Sequence, residues 1–325
     1  MRNLGEAVKA DGTLDDQRIW RREPMYQGMN GRWVERFYID PEHSYIFKPL
    51  TNGESVDREA WVNRNMLTQL PEISVPQLLA ASPEGKGTEG WTIFEDLGAL
   101  RHEYRLEYAQ AAARQVARLH AAPAEHWPGL TSQGPKPGIE AIAADVLRRR
   151  EEARAILDGH GLPVQWLDAE NVDAVRDGHG FRVNHQVLSH GDLHLGNYAV
   201  TEAGRVILLD WEHAHRNLPY WDLYHLIDMS HPRFPKRMPA EDRLKLLDTY
   251  LEEADKQGTA WTRDDRVREY ARFAAIFSLW MLLLIEGDLQ RGGGVWTIEG
   301  LLRQREETAD SLAGCLELLE NQGSI

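Results

Sequence analysis

Between Val187 and Trp211 the chain reads VLSHGDLHLGNYAVTEAGRVILLDW, and this stretch concentrates side chains suited to phosphate chemistry. His190, Asp192 and Asn197 share one short loop, and a second carboxylate, Asp210, ends the apolar run Val206–Leu209. Phosphoryl transfer asks little covalent chemistry of a protein; it needs metal ligands, phosphate clamps and a positioned acceptor hydroxyl. An aspartate in a His-x-Asp-x-x-x-x-Asn spacing can orient the attacking hydroxyl or take its proton. Asn197 offers a neutral oxygen to Mg²⁺ and Asp210 a charged one, matching a hard cation held by one or two carboxylates plus phosphate oxygens.

These residues need a strand–loop–strand unit to deliver them, and the rest of the chain must supply the other half of the site. The part up to about Leu97 has strand character. Arg32–Ile39 and Ser44–Leu50 are rich in aromatic and branched residues. Gly28-Met29-Asn30-Gly31 is a two-glycine turn, so a hairpin with a glycine-containing tip and then a third strand are expected. Ser55–Leu70 has helical spacing and closes before Pro71, because the residue ahead of proline is pushed out of the helical region. Pro76–Ala81 and Gly90–Phe94 read as two more strands. Beyond Gly98 the pattern turns helical, over Leu106–His120, Ile139–Leu157, Asp242–Ala254, Asp264–Glu286 and Thr297–Glu320. The expected organisation is α+β, with a strand-rich part at residues 1–97 and a larger helical part at residues 98–325.

His190-Gly191-Asp192-Leu193-His194-x-x-Asn197, followed by Leu209-Asp210-Trp211-Glu212, resembles the aminoglycoside phosphotransferase and choline-kinase-like family. The resemblance implies the two-lobed fold of protein kinases: a small antiparallel-sheet N-lobe with one helix and a mainly helical C-lobe. It implies ATP and Mg²⁺ as cofactors, Asp192 as catalytic base, and Asn197 and Asp210 as metal ligands. His190 would brace the loop. Asp222, in LPYWDL, would hydrogen-bond the loop backbone, and His120 would serve mainly in packing.

The same resemblance sets a test for the upstream half, which should carry a glycine loop, a strand lysine, a bracing glutamate and a hinge. Lys48 is the only charged residue in the run Tyr45–Leu50, and burying it is costly unless its ammonium has an anionic partner. Glu59 in the following helix suits that part, with Glu54 a weaker candidate. Gly28 and Gly31 fall where the phosphate loop should lie, though without a full G-x-G-x-x-G pattern. In the hinge at Phe94–Leu97, the Glu95 carbonyl and the Leu97 amide would meet adenine. The acceptor would be a small molecule bearing a hydroxyl, bound by Pro123–Gly180 and Met229–Trp296. Glu286 and Asp288 are the acids there that would suit an amine-bearing one, and both are equally at home as surface charges.

The 51 acidic and 37 basic residues give a net charge of −14, which argues against nucleic acid or an anionic membrane as partner. It is compatible with a cationic small molecule and with plain solubility. The single cysteine, Cys315, can make no internal disulfide and reads as a packed hydrophobe. The longest apolar stretch, Phe273–Ile285, is shorter than the roughly 20 residues a membrane span needs. No signal-peptide pattern opens the chain, so a cytoplasmic protein is expected. Two rival readings remain: a metal-dependent hydrolase using His190, His194, His213 and His215, and a non-catalytic kinase-like scaffold. No D-F-G…A-P-E pattern suggests a protein kinase, and no G-x-S-x-G a serine hydrolase.

Overall fold

The computed structural model describes residues 4–28, 30–50, 57–84, 89–167, 170–181, 186–258 and 262–321. The chain divides into two compact units. The first is Met1–Arg101 with Val200–Ala214; the second is His102–Ala199 with His215–Ile325.

The first unit is built on five strands, β1 (Arg21–Gln27), β2 (Trp33–Tyr38), β3 (Ser44–Pro49), β4 (Leu78–Ala81) and β5 (Trp91–Glu95). They form one antiparallel sheet in the order β1-β2-β3-β5-β4. Pro24, which lacks an amide to donate, is tolerated because β1 is an edge strand. β3 lies in the middle of the sheet, and its register sets Phe47 against Ile93 and Lys48 against Thr92. Successive strand residues point to opposite faces. Phe47 joins Phe37, Ile93, Ala7 and Leu14 in an apolar cluster, so Lys48 projects from the other face. The N-terminal arm therefore has a packing role, through Ala7 and Leu14. The expected helix over Ser55–Leu70 is α1 (Arg58–Asn65) followed by a 3₁₀ turn at Leu67–Gln69. Glu54 lies outside the described residues. The short strand β6 (Leu100–Arg101) ends the first pass of the chain through this unit.

The second unit is mainly helical: α2 (Leu106–Ala121), α3 (Ile139–Arg148), α4 (Arg150–Gly159), α5 (Glu170–Arg176), α6 (Tyr220–Ile227), α7 (Ala240–Lys256), α8 (Arg263–Gln290) and α9 (Ile298–Asn321). The continuous helix expected at Ile139–Leu157 is broken at Arg149, which leaves helical geometry with φ −99° and ψ 31°. No glycine or proline marks that break. α6 was not anticipated because all eight of its residues are buried, so it shows no polar face. α8 is long and apolar enough to cross a membrane by length and composition, yet 61% of its most apolar stretch is buried inside the protein. It forms the spine of this unit, with Phe273 and Phe277 packed against Tyr224 and Trp221.

Between α5 and α6 the chain runs through β7 (Val187–Ser189), the loop carrying Asp192, β8 (Tyr198–Thr201), β9 (Val206–Leu208), a 3₁₀ turn at Trp211–His213 and β10 (His215–Asn217). β10 pairs antiparallel with β7, setting His215 opposite Ser189. β6, β8 and β9 form a small sheet in that order. A single boundary after residue 97 was expected, with Asp210 on its far side. Instead Val200–Ala214 clusters with the first unit, because β8 pairs with β6 and the turn after Asp210 packs on α1.

Candidate functional site

Within the first unit, Lys48, Glu59, Asp210 and Glu212 meet. Lys48 is 8% exposed, and its ammonium donates to Glu59 Oε2 at 2.8 Å and Asp210 Oδ1 at 2.5 Å, with Glu212 Oε2 at 3.9 Å. α1 brings Glu59 to the face of β3 on which Lys48 lies, and β9 ends so that Asp210 arrives beside both. Burial opposes the charge on Lys48. Asp210, Glu59 and Glu212 outweigh it and hold the ammonium well above its ordinary range. Burial also raises Glu59, against the pull of Lys48 and a backbone amide from Trp211.

Asp210 has φ 63° and ψ 66°, the left-handed region, and is the one non-glycine residue with positive φ among those described. Such a conformation costs about 1–2 kcal/mol and persists where the surroundings enforce it. Asp210 is held on both sides: Lys48 binds its carboxylate, and Trp211, 1% exposed, donates its indole to the Leu208 carbonyl at 3.3 Å.

Three carboxylates around one ammonium leave a surplus of negative charge. One oxygen each from Glu59, Asp210 and Glu212 lies within 4.8 Å of the others, the one such cluster found among the described residues. The donors are all hard oxygens, so the set fits Mg²⁺ rather than a softer metal. The histidine-based hydrolase reading fares differently: His190, His194, His213 and His215 do not assemble into such a group. Glu212 belongs to the sequence motif, and its place beside Lys48 is visible only in the structure.

Within the second unit, the loop after β7 is held from below by Asp222 on α6. Its buried carboxylate accepts from Ser189 Oγ at 2.8 Å, His190 N at 2.8 Å and Gly191 N at 3.0 Å. Gly191 has φ 90°, which favours glycine, and its carbonyl accepts from the Trp221 indole at 2.8 Å. Asp222 thus hydrogen-bonds the loop backbone, as expected. His120 does more than pack: its Nε2 sits 3.1 Å from Asp222 Oδ2 and its Nδ1 2.9 Å from Tyr250 Oη. His190 is fully buried, and its Nδ1 accepts the Asp192 amide at 3.4 Å, a contact within the loop itself.

Asn197 donates its Nδ2 to the Asp192 carbonyl at 2.7 Å and approaches Asp192 Oδ2 at 3.4 Å, an arrangement that spends the amide nitrogen rather than Oδ1. Asp192 Oδ1 accepts from Lys136 Nζ at 2.9 Å. Burial works against the carboxylate, and Lys136, followed by His194 and His225, holds it well below the usual range. His225 donates Nδ1–H to the Trp221 carbonyl at 2.8 Å, and burial with Lys136 nearby pushes it down to about 3. It is therefore neutral, and its Nε2 is the acceptor 3.3 Å from Lys136 Nζ. Neither Lys136 nor His225 was anticipated.

Gly28 and Gly31 form the tip of the β1–β2 hairpin, with Gly28 N donating to Arg32 O at 2.8 Å and Gly31 at φ 80°. Met29 lies outside the described residues. Glu95 ends β5, and its carboxylate accepts the Gln77 amide at 2.8 Å; Leu97 is half-buried in the turn that follows. That turn is locked by Asp96, which accepts from Arg36 at 2.6 and 3.0 Å, Ser44 at 2.7 Å and the Gly98 amide at 2.9 Å. Of the acids proposed for an acceptor, Glu286 pairs with Arg305 at 3.4 Å and Asp288 with Arg291 at 2.7 Å.

Comparison with known proteins bears on the fold and the family. No curated protein sequence matches the chain. Solved structures share its fold: a choline kinase from Cryptosporidium parvum Iowa II at 15% identity and TM-score 0.58, covering 98% of this chain and 95% of that one. The macrolide 2′-phosphotransferase MphH from Brachybacterium faecium aligns at 18% identity and TM-score 0.52, covering 92% and 93%. The GDP and kanamycin complex of APH(2″)-IIIa aligns at 16% identity and TM-score 0.57, covering 90% and 94%. These likenesses establish a kinase-like α+β fold. The profile of the phosphotransferase enzyme family (APH) matches residues 26–270, and the chain belongs to that family.

Proposed function

We propose that this protein is an ATP-dependent phosphotransferase that moves the γ-phosphoryl group to a hydroxyl of a small molecule. The observation that carries the reading is the Lys48 cluster, a buried ammonium surrounded by Glu59, Asp210 and Glu212. Such an arrangement is costly as pure structure. It suits a site that receives polyphosphate and a divalent cation.

Lys48, braced by Glu59, contacts the α- and β-phosphates. Gly28 and Gly31 cover the phosphates, and the Glu95 carbonyl and Leu97 amide meet the base. Asp210 is assigned to Mg²⁺, and Asn197 is assigned to it through its side-chain oxygen. When bound, Mg²⁺ supplies charge neutralisation to the transferred group. Asp192 orients the acceptor hydroxyl and takes its proton as the acceptor oxygen bonds to the γ-phosphorus. The bond to the β-bridging oxygen breaks and ADP leaves. His190 keeps the loop in shape without exchanging protons. The small molecules named for the similar structures are choline, a macrolide and kanamycin, and an acceptor of that size range is proposed here. The proposal carries with it a cytoplasmic location and neither nucleic acid nor membrane as partner.

The test compares the wild type with Asp210→Ala and Asp192→Asn. Asp210→Ala should abolish Mg²⁺-dependent ATP binding, and Asp192→Asn should keep that binding and lose transfer. Normal turnover by Asp192→Asn would refute the assignment of the base. No response of the wild type to MgATP would favour a scaffold.

A further inference from the structure

Lys136 lies in the sequence Gln133-Gly134-Pro135-Lys136-Pro137-Gly138, far from any motif, yet its ammonium sits 2.9 Å from Asp192 Oδ1 and 3.3 Å from His225 Nε2. The side chains of Lys136 and Asp192 are 23% and 20% exposed, so the pair is not a solvated surface bridge. The backbone that delivers it is built for the purpose. Pro135 and Pro137 fix their own φ, and Pro137 disfavours helical geometry at Lys136, which lies in a bend. Gly134 lies so close to His215 that an added Cβ would fall 2.6 Å from the ring. Arg216 ties the same segment down, its amide donating to Thr131 O at 2.8 Å and its Nε to Leu130 O at 2.7 Å. His215 and Arg216 belong to β10, which pairs with β7, and β7 ends one residue before His190. The lysine and the aspartate are therefore referred to one two-stranded frame.

We propose that Lys136 is a positioning residue for phosphoryl transfer, holding Asp192 by one oxygen so that the other is presented to the acceptor hydroxyl. With Oδ1 on Lys136, the contacts of Oδ2 among the described residues are long, 3.4 Å to Asn197 Nδ2 and 3.6 Å to His194 Nε2. It is the oxygen suited to accept the hydroxyl hydrogen. The neutral His225 ring closes over the same pair, its Nε2 3.3 Å from the ammonium and 3.6 Å from Asp192 Oδ1, and adds no second anion to it. This inference rests on the phosphotransferase reading and adds a residue that the sequence motifs do not contain.

The experiment measures steady-state consumption of MgATP by the full chain, with choline, kanamycin or water as acceptor, together with melting temperature. Lys136→Met should lower kcat by about 10²-fold, in the range of losing one oriented polar contact to the reacting groups, with KM for ATP unchanged. Lys136→Arg, which keeps the charge, should recover at least about tenfold of that loss. Should Lys136→Met fail to fold, Lys136→Gln takes its place. A methionine variant with wild-type kcat, or an arginine variant as impaired as the methionine one, would overturn the inference. A wild type that consumes no MgATP under any of these conditions would overturn the phosphotransferase reading itself, and this inference with it.

Discussion

His120 and Asp222 form a buried pair in which Nε2 and Oδ2 are 3.1 Å apart, and the same carboxylate carries the backbone of His190 and Gly191. One side chain therefore satisfies two orphan amides, a hydroxyl and an imidazole. Asp222→Ala should cost about 3–5 kcal/mol, the usual range for removing one partner of a buried charged network. Chemical denaturation checks this; a loss under about 1 kcal/mol would mean that the loop is held by other contacts.

The same residue dictates an acid limit. Burial opposes the Asp222 charge, while His120, His190 and the loop amides lower its folded-state value below the ordinary 3.8. A carboxylate depressed on folding contributes stability that is present above its unfolded value and lost as pH falls through the folded one. Unfolding free energy should therefore drop below about pH 4, and Asp222→Asn should flatten that slope. Denaturant titrations of both proteins between pH 7 and pH 3 would reveal parallel curves if Asp222 is not responsible.

Removing the ammonium from the first unit's cluster should expose its charge imbalance. Lys48→Met leaves Glu59, Asp210 and Glu212 within reach of one another without a cation. The variant should bind MgATP poorly, yet Mg²⁺ alone should raise its melting temperature more than it raises that of the wild type. Equal metal responses would show that the three carboxylates are not a cation site.

Gly134→Ala tests the frame behind Lys136 without touching it. The new methyl group would meet His215 at 2.6 Å, so the segment must shift, at a cost of about 1–3 kcal/mol. Differential scanning calorimetry should register the lower melting temperature, and an unchanged value would mean that the loop yields freely.

What could be read from the sequence follows the physics of spacing. Asp192, Asn197 and Asp210 announced themselves through local intervals, and Lys48 through the oddity of a charge in an apolar strand. Lys48 and Glu59 do meet, at 2.8 Å, because a strand and the helix after it leave few other arrangements. Lys136 could not be read in that way. It reaches Asp192 across 56 residues, from a proline-rich turn with no period of its own. His225 was hidden for a related reason: α6 is buried on every side, and a helix without a polar face has no legible phase. Glu212 stood in plain view beside Trp211, but only three-dimensional proximity to Lys48 gives it meaning.

The return of Val200–Ala214 to the first unit bears on biosynthesis. A ribosome releases the strand-rich sheet early, but its Asp210 segment follows only after about a hundred residues of the helical unit have been made. Neither unit is one uninterrupted piece of chain, so neither can be expressed whole by simple truncation. Vectorial folding, in which an N-terminal domain finishes before the next begins, is closed to this architecture. The Lys48 cluster cannot be completed until Asp210 and Glu212 have been synthesised.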